Sequence, residues 1–262
     1  RAFDAMYLLF EPTLALELQQ HRDSVLRFVG PETGSLGATQ TAVHFGITGN
    51  GKIAILAKDI GKLLSWEQRK WAGFNITWDG SIPSELIQVQ LCCELPTDTA
   101  PEQRLEKAIS DLEEAFRKIS GGNLLRENSQ VPDLLEKSHR FRAAERDGLP
   151  VLAKTLTKLF IERLNLKVMK SYLCNEFEGK ELKELEAVIA QHSGDSELAK
   201  KTMSPLFGMY DLRGADAHLG SKFLESGLQR MAIDASTNEV EQGRQMLNSL
   251  ITCLEKIAKL LA

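Results

Sequence analysis

The segment Tyr210–Leu219 contains the side chains that are best suited to chemistry. Arg213 and His218 lie five positions apart in it, among small residues that let a backbone or a substrate approach closely. An imidazole can give and take a proton near neutral pH, and a guanidinium can bind a phosphate and stabilise charge on a pentacoordinate phosphorus. Together these groups could cleave RNA without a metal. The 2′-hydroxyl would attack the adjacent phosphate, and His218 would serve as general acid or base.

The spacing of Arg213 and His218 constrains how the two could act together. On one α-helix, residues five apart differ in direction by about 140°. They would converge if the helix unwinds near Gly214, or if two copies of the chain face each other across a two-fold axis. A structural alternative is open, in which Asp211, Asp216 and Arg213 form an ion-pair cluster at the helix end and His218 caps the last carbonyls.

Apolar residues repeat every three or four positions after residue 99, which predicts a helical region. A capping box at Thr99–Glu102 and the pair Gly121-Gly122 bound the first helix. Gly220 and Gly227 are interpreted as a looser connection, and the joins between the other helices are short, so that the pattern predicts a helical bundle. The four helices expected in this bundle cover residues 150–173, 180–191, 196–212 and 236–261.

Residues 1–96 show a different pattern. Alternating runs on either side of Asn50-Gly51 predict a β-hairpin, a third strand is expected at 86–94, and a helix is expected at 12–28. The predicted fold class is mainly α, with a small α+β N-terminal segment followed by a helical bundle. The expected division is an α+β segment with an antiparallel sheet at 1–96, a helix and polar linker at 97–148, and the bundle at 149–262.

The charge of the chain excludes one class of function and leaves another open. A net charge of -4 over 262 residues is not that of a general cationic nucleic-acid binder. Residues 137–173 nevertheless carry nine Lys or Arg against three Asp or Glu, a local balance of +6. A basic helix face there could meet phosphate, and an ordinary solvated face is the alternative.

The four cysteines, Cys92, Cys93, Cys174 and Cys253, lack the spacing of a zinc site. We therefore expect reduced thiols in a cytoplasmic protein, with no metal and no cofactor. No apolar run approaches the ~18 residues of a membrane helix, so no membrane association is expected. Residues 1–28 lack the pattern of a signal peptide, and the chain starts at Arg1. We expect it to begin inside a longer protein or to be a trimmed product.

The helical half resembles a HEPN domain, a bundle found in many prokaryotic toxins and defence proteins. The resemblance covers about residues 149–262 and rests on Arg213 and His218 in an R-x4-H spacing before the last helix, within Met209–Arg213 and Ala217-His218. It implies a symmetric dimer whose motifs meet in a cleft and, in active members, metal-independent RNA cleavage. Arg213 and His218 would be the catalytic pair, and Asp216 would orient one of them. Active members often carry Asn, Asp or His after the arginine, where this chain has Gly214.

A fainter resemblance concerns the N-terminal segment. Asp59–Leu63, Trp66–Trp71 and Asn75 are similar to a stretch in large uncharacterised bacterial proteins that also end in a helical region with an Arg…Ala-His motif. This resemblance implies common membership of a family, and no activity.

The expected function is a metal-independent endoribonuclease effector of a bacterial stress or antiphage defence system, acting on RNA as a homodimer. The alternative is a non-catalytic HEPN-like module that dimerises or binds RNA or a nucleotide in a larger assembly. A purely structural subunit of a larger enzyme is a third possibility.

Overall fold

The computed structural model describes residues 6–94, 96–145, 147–173, 179–215 and 221–262. The chain divides into two compact units. The first comprises Arg1–Gln103 and Asn238–Val240, and the second comprises Arg104–Thr237 and Glu241–Ala262. The described part is mainly helical with one antiparallel sheet, which confirms the predicted mainly α class with an α+β N-terminal segment.

The first unit is built on an antiparallel sheet of six strands, in which the second, third, fourth, fifth, first and sixth strands of the chain lie side by side in that order. Tyr7, Leu9, Ala54, Leu56 and Leu86 form an apolar cluster on it. The strands are β1 (Tyr7–Phe10), β2 (Val25–Phe28), β3 (Thr33–Gly37), β4 (Val43–Ile47), β5 (Ile53–Leu56) and β6 (Asn75–Ile76).

The hairpin predicted around Asn50-Gly51 is confirmed. Strands β4 and β5 pair antiparallel, with Ile47 opposite Ile53. Gly51 adopts a φ of 75° and donates its N–H to the carbonyl oxygen of Thr48 at 2.8 Å. A residue without a Cβ takes this left-handed conformation at little cost, which is why the turn falls at Asn-Gly.

In the described part of the first unit four helices accompany the sheet, and two of the sequence predictions here are wrong. Residues 86–91 of the third strand expected at 86–94 are instead helical, because Gln88 and Gln90 between its apolar positions are good helix formers and a short alternating run does not distinguish the two states. The helix expected at 12–28 ends at Leu18, because Val25–Phe28 pairs with β3. The helices are α1 (Leu14–Leu18), α2 (Ala57–Ile60), α3 (Ser65–Ala72) and α4 (Ser84–Leu91).

The second unit is helical around one large apolar core. Residues 131–136 and 140–144, within the segment predicted as a polar linker, form an α-helix and a 3-10 helix. The α-helices after residue 100 are α5 (Pro101–Ser120), α6 (Val131–Glu136), α7 (Gly148–Leu159), α8 (Leu166–Leu173), α9 (Glu181–Ser193), α10 (Ser196–Ala215), α11 (Ser221–Arg230) and α12 (Glu239–Leu261). None of the described helices is both long enough and apolar enough to cross a membrane.

The helix predicted as continuous over 150–173 is broken. It ends at Leu159, a 3-10 turn covers Ile161–Arg163, and Leu164 is extended and forms a β-bridge with Leu125. Phe160 and Leu164 are buried on both sides of the turn. Apolar periodicity therefore continues through the break and hides it in the sequence.

The looser connection predicted at Gly220 and Gly227 is wrong for Gly227. Gly227 lies inside α11, where that helix packs closely on α10. A methyl group at Gly227 would lie 2.6 Å from Cγ of Leu212 and 3.0 Å from the carbonyl oxygen of Gly208. The glycine therefore permits a close helix contact that fixes the end of α10. Gly220 lies outside the described residues.

Candidate active site

Arg213 lies in the last turn of α10. Met209 and Leu212 on the same helix are fully buried, so the apolar core fixes the turn that carries the guanidinium. The side chain of Arg213 is 35% exposed. A cation in this turn also interacts favourably with the negative end of the helix dipole.

Two neighbours orient the guanidinium of Arg213. Its Nη1 lies 2.8 Å from Oε1 of Glu162, and its Cζ lies 5.6 Å from the ring centroid of Tyr210. Within the described residues, no other group pairs with this guanidinium. An arginine carries five N–H donors in a planar fork, so most of its donors are left for a ligand.

Hydrogen bonds fix the position of the turn that contains Glu162. Its carbonyl oxygen accepts a hydrogen bond from Nη2 of Arg126 at 2.5 Å, and the backbone N–H of Arg126 donates to the carbonyl oxygen of Arg163 at 2.7 Å. The N–H of Asn165 donates to the carbonyl oxygen of Leu124 at 2.7 Å. Because these bonds fix the backbone at Glu162 and in the residues that follow it, the carboxylate of Glu162 is well placed to bind Arg213.

Asp211 belongs to a different contact from Arg213. Its Oδ2 lies 3.3 Å from Nη1 of Arg230 and accepts a hydrogen bond from Oγ of Ser226 at 3.2 Å. Both partners are on α11, whereas the partner of Arg213 precedes α8. The sequence analysis considered one ion-pair cluster of Asp211, Asp216 and Arg213. Among the described residues, Arg213 and Asp211 instead belong to two separate ion pairs.

Asp216 and His218 lie outside the described residues. A Cβ at Gly214 would have no atom of another described residue within 4 Å, apart from the backbone of its own helix. His139, by contrast, is fully buried, and burial together with the charges of Arg142 and Arg140 lowers its pKa to about 3. It cannot exchange protons with a substrate at neutral pH.

The locally basic segment 137–173 is only partly available to a ligand. Arg140 is buried, Lys137 pairs with Asp133 at 2.9 Å, and Arg163 donates to the carbonyl oxygens of Arg126 and Leu159. Burial also lowers the pKa of Arg163. Exposed lysines in the segment include Lys154, Lys158 and Lys167.

The sequence analysis missed Glu162 and Tyr210 as partners of Arg213. Tyr210 is three residues before Arg213 on one helix, and that spacing alone could have predicted their contact. No local signal identifies Glu162, because it meets Arg213 only through the break between α7 and α8. Its role depends on the tertiary fold.

Among the described residues, no group of three His, Cys, Asp or Glu side chains could hold a metal ion. No protein-family model, curated protein or solved structure matches this chain.

Proposed function

We propose that the helical unit carries a HEPN-like ribonuclease site that cleaves RNA without a metal and acts in a homodimer. The observation that supports this best is the state of Arg213. Its guanidinium is oriented by Glu162 and Tyr210, is about one third exposed, and has no other partner among the residues that the structure describes. Such a pre-positioned cation is suited to bind a phosphate and to stabilise the charge that develops in the transition state.

The proposed reaction uses three residues of the motif. The 2′-hydroxyl of RNA attacks the adjacent phosphorus, a 2′,3′-cyclic phosphate forms, and the bond to the 5′-oxygen breaks. Arg213 binds the phosphate oxygens, and His218 moves the proton between the attacking or leaving oxygen and solvent. Asp216 orients one of this pair. The context expected from the resemblance is a bacterial stress or antiphage response.

The test is cleavage of single-stranded RNA in EDTA by the purified chain. We expect products with cyclic-phosphate ends, and Arg213→Ala and His218→Ala should each abolish cutting while the Tm moves by only a few degrees. Arg117→Ala removes an exposed arginine from α5 and serves as the matched control, with activity unchanged. Cutting that survives both motif substitutions would contradict the site assignment.

A second candidate function is a non-catalytic module that dimerises or binds RNA or a nucleotide. The ion pair between Arg213 and Glu162, together with Gly214 after the arginine, favours it, because the carboxylate already occupies one side of the guanidinium. This module would dimerise without cutting RNA, and substitutions near Gly214 would break the dimer. A monomer in light scattering would contradict both proposals.

A further inference from the structure

A cleft of about 580 Å³ opens between α10 and α12, and it lies within the second unit. Thr202 and Cys253 bring the two helices together at its base, where the Cys253 thiol donates to the carbonyl oxygen of Thr202 at 3.1 Å. Lys201 and Lys256 flank this contact on the two helices. The volume is in the range of small-molecule sites, roughly 300–1,000 Å³.

The charge of the cleft has one sign. Its lining includes Lys201, Lys256 and Arg230, and it includes no Asp or Glu among the described residues. Arg230 is paired with Asp211. The two lysines are exposed and have no carboxylate within ion-pair distance in the part of the chain that the structure describes. Two ammonium groups without a described carboxylate partner, one on each of two facing helices, favour the binding of an anion.

The rest of the lining offers hydrogen bonds and a small apolar wall. Asn248, Ser249 and Thr252 on α12 have no hydrogen-bond partner for their side chains within the described residues. Pro205 has no N–H, so it leaves the carbonyl oxygen of Lys201 without its usual helical hydrogen bond. Hydroxyl groups of a ligand can pair with these polar atoms. Apolar contacts can come from Leu198, Pro205 and Met231.

We propose that this cleft binds a phosphorylated sugar, either free or as part of a mononucleotide. The lysines on α10 and α12 hold the phosphate, and the uncommitted side chains of α12 bind the sugar hydroxyls. Arg213 does not line the cleft. The proposal therefore stands independently of RNA cleavage.

The test is isothermal titration of the full chain with ribose 5-phosphate, AMP and unphosphorylated ribose. We expect ribose 5-phosphate and AMP to bind and ribose to give no heat of binding. The affinity of the two phosphorylated ligands should fall with added salt. Lys201→Gln and Lys256→Gln should each weaken binding about tenfold, because each removes a charge-assisted contact. Lys259→Gln on the same helix, outside the cleft, is the matched control and should leave affinity unchanged.

Three results would overturn the proposal. They are no binding of either phosphate at millimolar concentration, binding that both cleft substitutions leave intact, and an equal loss in the Lys259→Gln control. Circular dichroism of each variant shows whether it is folded, so that a loss of affinity is not confused with unfolding. If AMP binds more tightly than ribose 5-phosphate, the ligand is the mononucleotide, and the opposite order assigns the free sugar phosphate.

Discussion

Protonation of His139 should destabilise the helical unit in mild acid. The imidazole is fully buried, and neither ring nitrogen has a hydrogen-bond partner within the described residues. Burial and the neighbouring arginines lower its pKa from 6.5 to about 3. The unfolded chain therefore takes up a proton below pH 6.5 that the folded chain binds only near pH 3. Stability is lost as the pH falls through this interval.

The size of the effect follows from the shift in pKa. For each pH unit below the pKa of the unfolded chain, the free energy of unfolding falls by about 1.4 kcal/mol. This histidine should therefore remove about 2.5 kcal/mol of unfolding free energy between about pH 7 and pH 4.5. The loss levels off near pH 3. This loss is between about a sixth and a half of the stability of an ordinary domain, which is about 5–15 kcal/mol.

The assay is denaturant unfolding at several pH values, followed by circular dichroism. His139→Leu removes the titrating group. It should reduce the difference in unfolding free energy between about pH 7 and pH 4.5 by about 2.5 kcal/mol. His139→Gln serves as a second variant if the first fails to fold. If His139→Leu unfolds with the same pH dependence as wild type, the reasoning is refuted.

Two further predictions concern the end of α10. Gly227→Ala should destabilise the chain by about 1–2 kcal/mol in chemical denaturation, because the new methyl group would overlap Leu212. Gly214→Ala should instead stabilise it by up to about 1 kcal/mol, since the site is helical and open; equal effects of the two substitutions would contradict the packing. Glu162→Gln should change stability by less than about 1 kcal/mol, because the ion pair is half-exposed. It should also lower kcat for RNA more than it raises KM, whereas an unchanged kcat would show that the carboxylate does not position its arginine.

The sequence predicted the elements whose signals are local. The Asn50-Gly51 hairpin needed only a turn that accepts a positive φ, and both strands lie where they were expected. The helices α9, α10 and α12 likewise follow from apolar periodicity with breaks at their ends. In each case the residues that decide the structure are close together in the chain.

The errors arose where distant contacts decide the structure. The alternation of apolar and polar residues over 86–94 predicts a strand. Leu86 is instead buried as part of a helix that packs against Gly46. From the sequence alone Gly227 is typical of a loop, whereas in the structure it lies in a helix with Leu212 packed against it. For the same reason Arg213 was predicted as a candidate, whereas Glu162 was missed.

Cleavage of an RNA substituted with 2′-deoxyribose tests the central claim most directly. The wild-type chain in EDTA should cut the all-ribose substrate and leave 2′,3′-cyclic phosphate. A single 2′-deoxy nucleotide on the 5′ side of a preferred scissile phosphate should abolish cutting at that position while neighbouring positions are still cut. Cutting at the deoxy position, or equal cutting by Arg213→Ala, would contradict the account.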